Sequence, residues 1–374
     1  MTIVWSILTI IGVAFVLFIA MSMYLVVIMR WGEEQTVGLN YYGLPKKDRD
    51  KFKRRLMFHA RLLKPVLWLT TRSRMDFRRG RVQFKNVSAP SDSCSVEGFA
   101  KAHAYTPRAE DVFVITQMKC GTTWMQHVVF QILHRGKGDL VETGRAMYAV
   151  SPWIEGRKSV PIEDSKPVGV ERPSRIIKTH LPAQLCPYNA AAKYIYITRH
   201  PVSCFASCVD FVVTNVGTMA PPISAFEEWY TSPDLMWWGT WTDHVKGWWE
   251  RSQQHPENVL FLYFEDMKKD LSPVVRRVTE FLGVRSLNEQ ELAVVVHKCG
   301  FQYMQQHQDN FEMHPPHILQ VNAEMFVSGS ADRHKDVPNE VRARIARWTA
   351  TEMASSNFPL TERYPDLLNS QKAR

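Results

Sequence analysis

The first 29 residues stand apart from the rest of the chain. No charged side chain occurs from Thr2 to Met29, and Ile3 to Met29 is almost wholly apolar. A helix crossing the hydrocarbon of a bilayer needs about 20 apolar residues, so this run predicts a membrane-spanning helix with some tilt. A cleaved signal peptide would show a basic start, a shorter apolar stretch and a small-residue cleavage site. None is evident, which leaves a buried core helix or an uncleaved signal as the alternative. Beyond residue 85 the pattern changes to short apolar runs alternating with helical periodicity. Val112–Thr116, Arg175–Lys178, Tyr194–Ile197 and Asn258–Tyr263 read as buried strands. Helical spacing follows over Thr122–Leu133, from Pro201 through Val213, and over Val274–Leu282 up to Gly283. Strands alternating with helices predict an α/β fold, a P-loop-like three-layer sandwich around a central, mostly parallel sheet with ligands at the carboxyl ends of its strands. The expected organisation is an anchor over 1–30, a juxtamembrane segment over 31–90 and one globular domain over 91–374.

Charge sharpens this division. The 374 residues carry a formal +9, but between Lys46 and Lys85 fifteen Lys and Arg stand against three acidic residues, so the rest of the chain is net acidic. A global basic field of the kind nucleic-acid binders use is excluded. No Lys or Arg precedes the apolar run, whereas Arg30, Lys46, Lys47 and Arg49 follow it closely. The positive-inside rule therefore places everything after Arg30 in the cytoplasm. Within the basic block Leu56, Met57, Leu62, Leu63, Val66, Leu67 and Trp68 are interleaved with cations, a mixture suited to a helix lying on an anionic membrane face, the alternative being a solvated linker. Six cysteines show neither a CxxC pair nor zinc spacing, which favours a reducing compartment and no metal site.

The candidate chemistry lies after the first predicted strand, in Val114-Ile-Thr-Gln-Met-Lys119-Cys120-Gly121-Thr122-Thr123-Trp124. Strand, tight glycine loop and helix aim backbone N–H groups and a helix N-terminus at an anion. Lys119 adds a point charge, and Thr122 and Thr123 add short donors. The lysine precedes the glycine and no upstream glycine has Walker spacing, an order suited to a phosphate held without a metal. Trp124 suits base stacking, although it could equally be a core residue.

Read with its neighbours, this loop resembles the 5′-phosphosulfate loop of the sulfotransferases. Four further segments agree in order: Ser151-Pro-Trp-Ile-Glu155; Arg175-Ile-Ile-Lys178-Thr179-His180-Leu-Pro182; the run from Tyr194 through Arg199 to Ser207; and Gly239 to Glu250 with Phe264-Glu-Asp-Met267. The last pair is similar to the cytosolic branch in particular. The resemblance covers roughly residues 100 to 350. It implies binding of 3′-phosphoadenosine 5′-phosphosulfate (PAPS) and metal-independent transfer of its sulfuryl group to a hydroxyl or amine. It further implies His180 as general base, Lys119 at the departing phosphate oxygen and Lys178 at the sulfuryl oxygens. Arg199 and Ser207 would hold the 3′-phosphate, Trp124 and Phe301 would sandwich adenine, and Cys120, Gly121, Thr122 and Thr123 would form the cradle.

The chain departs from the family pattern in several places. Cys120 stands for a serine, Gln117-Met118 for Tyr-Pro, Gly300 for a serine or threonine, and Phe264 for a tyrosine. The Arg-Lys-Gly run that meets the 3′-phosphate is replaced by a segment in which Gly329 and Ser330 would keep the loop and Arg333 or Lys335 would supply the cation. The family's dimer signature is not present, so the oligomeric state is left open. Tyr148, Trp153, Trp237 and Trp238 suggest a hydrophobic pocket for a sterol, phenol or lipid hydroxyl. Two competing readings are a magnesium-dependent P-loop kinase and a catalytically silent, membrane-tethered nucleotide-binding scaffold.

Overall fold

The computed structural model describes residues 2–37, 39–71, 73–312, 315–319 and 332–369. Helix α1 (Thr2–Gln35) extends past the apolar run. Its apolar side chains from Ile3 to Met23 are mostly exposed, whereas Leu25 and Ile28 are buried against the rest of the chain. Within the stretch Ile3–Gln35 an 18-residue window has a mean hydropathy of 2.7. Three helices form the neck that follows: α2 (Leu39–Tyr42), α3 (Lys46–Leu62) and α4 (Lys64–Thr70). Pro45 precedes α3, and Pro65 occupies the first turn of α4, where a missing N–H costs nothing. A short hairpin, β1 (Arg81–Phe84) with β2 (Val87–Pro90), turns through Lys85 and Asn86, both left-handed, and leads to α5 (Val96–Ala104).

The central sheet has four parallel strands, β3 (Asp111–Ile115), β4 (Arg175–Thr179), β5 (Lys193–Thr198) and β6 (Val259–Tyr263), in the order β4-β3-β5-β6. These strands read as continuous apolar runs because the sheet is covered on both sides. Between β3 and β4 come α6 (Thr122–Leu133) and α7 (Met147–Val150). Between β5 and β6 come α8 (Pro201–Val216), α9 (Ile223–Thr231) and α10 (Trp241–Gln254). The chain then forms α11 (Phe264–Lys269), α12 (Leu271–Leu282), α13 (Glu289–Lys298), α14 (Phe301–Gln306) and α15 (Asn339–Met353). Helices α6, α12 and α13 pack together as one layer, and α8, α10 and α15 as another.

From β3 the chain first moves to one side, to β4, and then to the other, to β5. Right-handed crossovers in opposite directions put helices on opposite faces and open a crevice at the carboxyl ends of β3 and β5, where ligands bind in such sheets. The register sets Ile115 beside Thr179 and Tyr196, and Thr198 beside Tyr263, so β3 and β4 end level with each other and β5 and β6 run two residues further.

Candidate functional site

Each sheet strand delivers part of one site from its carboxyl end. The loop after β3 carries Lys119, Cys120 and Gly121 into α6. Lys119 is left-handed at φ +65° and Gly121 at φ +99°, a turn in which successive N–H groups face one way. Only glycine fits at 121, because a Cβ there would sit 2.9 Å from Cδ2 of Phe264. Thr122 and Thr123 are buried; Thr122 Oγ1 shares a 2.6 Å hydrogen bond with Thr116 Oγ1, and Thr123 Oγ1 a 3.3 Å bond with the Tyr148 hydroxyl. The Lys119 ammonium lies 4.7 Å from the Phe211 ring centre; burial first and Arg199 second lower its proton affinity.

The end of β4 presents Lys178 and His180. The His180 ring lies against Trp153 and Trp238, with centroids 5.6 and 4.9 Å away. Its Nδ1 is 2.9 Å from the carbonyl oxygen of Thr116. A carbonyl only accepts, so Nδ1 carries the proton and Nε2 is left with its lone pair. Burial, then the neighbouring Lys178, push the imidazole pKa well below 6.5 and keep the ring neutral. The Lys178 ammonium sits 3.9 Å from the Trp153 ring centre and 5.0 Å from that of Tyr148, held by two aromatic faces with no ion pair among the described residues. Burial lowers its pKa to about 7, with Glu155 the main influence the other way.

Arg199 follows β5, nine-tenths buried, with its guanidinium carbon 4.4 Å from the Phe264 ring centre and Nη1 donating to the Lys119 carbonyl at 3.4 Å. Ser207 lies half-buried on α8. On the same helix Asp210 holds Arg333, which also pairs with Asp336 at 2.8 Å. Arg333 is thus beside α8 but engaged by two carboxylates. Lys335 is turned to Asp332 at 2.7 Å, and Gly329 and Ser330 lie outside the described residues. Phe264, at the end of β6, meets Trp124 edge to face at 5.5 Å. Trp124 Nε1 donates to the Cys299 carbonyl at 2.8 Å, and the Lys268 ammonium is 5.9 Å from Trp124 and 5.7 Å from Phe301. The two aromatics assigned to adenine are therefore brought to one place.

Cys120 lies beneath the cradle. Its thiol is fully buried, 3.6 Å from Cys204 Sγ, and burial raises its pKa, so it packs under the cradle as an apolar group and is not a reactive thiol at a helix N-terminus.

Several contributors were not singled out from the sequence. Glu155 is fully buried and accepts from the His180 backbone N–H at 2.7 Å and from Thr179 Oγ1 at 2.8 Å, fixing the end of β4. His244 donates from Nε2 to the His180 carbonyl at 2.9 Å and takes the Tyr196 hydroxyl at Nδ1, 3.0 Å away; burial lowers its pKa to about 4. Gln117 Nε2 reaches the carbonyls of Trp237 and Gly239 at 3.3 and 3.4 Å, tying the aromatic loop to the cradle. Between them Trp238 is left-handed at φ +61°, a conformation costing an L-residue about 1–2 kcal/mol. Glu155, Gln117 and His244 all lie in segments that carry the family resemblance, but nothing in the sequence assigned a role to any of the three.

The sulfotransferase domain family matches residues 109–357, which span the sheet and every site residue described above. Human sulfotransferase 1C2 is 32% identical over 223 residues, covering 57% of this chain and 71% of the relative. Mouse sulfotransferase 1A1 is 34% identical over 212 residues, covering 54% and 69%. Among solved structures, mouse sulfotransferase SULT7A1 complexed with PAP superposes with a TM-score of 0.58 at 22% identity, covering 78% of this chain and 99% of that one. Retinol dehydratase in complex with androsterone and PAP gives 0.59 at 21% identity, covering 72% and 87%. The family match takes in two thirds of the chain and coincides with the crevice built from its four strand ends, and on that footing the protein belongs to the sulfotransferase family and is a sulfotransferase.

Proposed function

We propose that the protein transfers the sulfuryl group of PAPS to the hydroxyl, or amine, of a small lipophilic acceptor, with His180 as general base, while α1 anchors it in a membrane and its sheet domain faces the cytoplasm. The observation that carries the reading is the tautomer of His180. With Nδ1–H held by the Thr116 carbonyl, Nε2 is a neutral base aimed at no other partner among the described residues.

The residues divide the work as follows. His180 Nε2 takes the acceptor proton as the acceptor oxygen forms its bond to sulfur. The sulfur–oxygen bond to the 5′-phosphate breaks in line, and the electron pair leaves on the phosphate oxygen, giving adenosine 3′,5′-bisphosphate. Lys119 and the N–H groups of the cradle balance charge on that oxygen, and Lys178 does so on the sulfuryl oxygens. Arg199 and Ser207 hold the 3′-phosphate, Trp124 and Phe301 the adenine, and Gly121 is the cradle position a side chain would fill. No step calls on a metal ion.

A lipophilic acceptor is supported by the aromatic lining around His180 and by the anchor, which concentrates membrane-dissolved substrates beside the site. A guinea-pig relative named 3-alpha-hydroxysteroid sulfotransferase is 31% identical over 210 residues. The excess of Lys and Arg after the apolar run supports the cytoplasmic orientation. Membranes containing the full chain should label sterols or phenols from radiolabelled PAPS, and His180→Ala should abolish labelling while keeping bisphosphate affinity. Labelling only of sugars or peptides would refute the acceptor class.

A further inference from the structure

The neck is not a loose tether. At its upper end, Tyr24 of α1 shares a 2.9 Å hydrogen bond with His59 Nδ1, and Trp31 packs at a tilt against Phe52, centroids 5.2 Å apart. At its lower end, the neck is clasped to the sheet domain by charge. Lys46 and Lys53 reach Asp309 at 3.0 and 3.2 Å, Lys53 also pairs with Glu312, and the Tyr41 hydroxyl donates to Glu312 at 2.7 Å. Arg49, with 1% of its surface exposed, donates to the carbonyls of Leu44 and Gly144 at 2.9 and 3.2 Å. Burying an arginine and two tyrosines in this way is costly unless their geometry is used.

Between these fixed ends lies Tyr42, 2% exposed, whose ring packs on Tyr148 at 5.6 Å and 30°. Tyr148 in turn touches both halves of the site. Its hydroxyl meets Thr123 of the cradle at 3.3 Å, and its face lies under the Lys178 ammonium. The α1–α4 segment precedes the 109–357 region that the sulfotransferase domain model matches, so this contact reaches the site from outside that region.

We propose that the neck is a working wall of the acceptor site, in which Tyr42 acts as a positioning residue that backs Tyr148 and so fixes the side of the pocket where the acceptor enters and Lys178 stands. This rests on the reaction assigned above for the placing of the acceptor beside His180. The membrane anchor and the pocket are thereby one rigid unit, with the acceptor side built directly onto the span that would sit in lipid. The partner chemistry that fits is a flat, apolar hydroxyl compound partitioned into the bilayer.

The test uses the full chain in phosphatidylcholine–phosphatidylserine nanodiscs. Adenosine 3′,5′-bisphosphate affinity is measured by calorimetry, and 2-naphthol affinity by fluorescence with the bisphosphate bound. Tyr42→Ala should weaken naphthol binding about tenfold, the loss of one buried aromatic contact and the order it imposes, and leave bisphosphate affinity within about twofold. Tyr42→Phe, which keeps the ring, should restore naphthol binding, and turnover of naphthol should show the loss in KM more than in kcat. Equal naphthol affinity in Tyr42→Ala, a matching loss of bisphosphate affinity, a Tyr42→Phe as weak as the alanine variant, or a parent that binds no naphthol would each overturn the wall. A parent that binds both ligands yet transfers no sulfuryl group would instead sink the assigned reaction and leave the wall standing.

Discussion

In the proposed reaction Lys178 must be charged to stabilise the sulfuryl oxygens, yet it is buried between Trp153 and Tyr148 and its pKa falls from 10.5 to about 7. At about 1.4 kcal/mol per tenfold change in proton affinity, the net penalty on the charged form is roughly 5 kcal/mol, with burial outweighing the favourable charge of Glu155. His180 is already neutral on the alkaline side of its strongly lowered pKa, so it contributes no limb above pH 6.5. The value of kcat/KM for PAPS, which reports the free enzyme, should therefore fall about tenfold for each pH unit above 7. Bound donor brings negative charge that favours the ammonium, so the corresponding limb in kcat should lie at higher pH. Stability should run the other way: between about pH 7 and 10.5 the unfolded chain holds a proton on this lysine that the native chain lacks, so this group's contribution rises with pH across that window. Initial rates from pH 5.5 to 9.5 with radiolabelled PAPS, beside thermal midpoints in the same buffers, read both trends. Glu155→Gln removes the principal charge favouring the ammonium and should move the basic limb of kcat/KM toward acid. A kcat/KM level to pH 9, or a limb that Glu155→Gln leaves in place, would refute Lys178 as the titrating cation.

Removing the base and its neighbours should separate chemistry from binding. His180→Ala should lower kcat by about 10²–10⁴-fold with bisphosphate affinity kept, by single-turnover rates and calorimetry. Trp124→Ala should weaken bisphosphate binding by about 1–3 kcal/mol through the lost base stacking, without altering the acceptor KM. Gly121→Ala combines a left-handed φ of +99° with a 2.9 Å approach to Phe264, so it should cost about 1–2 kcal/mol of stability in backbone strain alone and displace the ring on which Arg199 rests, a loss measurable as a lower thermal midpoint and weaker bisphosphate binding.

The parts of this site legible in the sequence are those whose chemistry is local to one strand end. Residues Lys119 to Trp124 are consecutive; alone they could be an ordinary helix cap, but with the neighbouring motifs the cradle could be read without a fold. Lys178 and His180 are two apart, and the strand that ends there was marked by its own apolar run. What suits His180 to the proposed role of base is not local. The Thr116 carbonyl that fixes its tautomer comes from the residue after β3, Glu155 from the loop before β4, and His244, 64 residues further on, from α10. Each of these is an ordinary residue in its own segment and acquires meaning only when parallel pairing brings the strand ends together. The neck shows the same limit from the other direction. Its basic residues read as a membrane-facing block, and Arg54, Arg61 and Lys64 are indeed exposed, but Lys53 and Arg49 are turned inward to carboxylates and carbonyls of the sheet domain. A charge pattern gives the sum of a segment's charges and not the partner each one finds, because the partners Asp309 and Gly144 lie far along the chain and are brought near only by the fold.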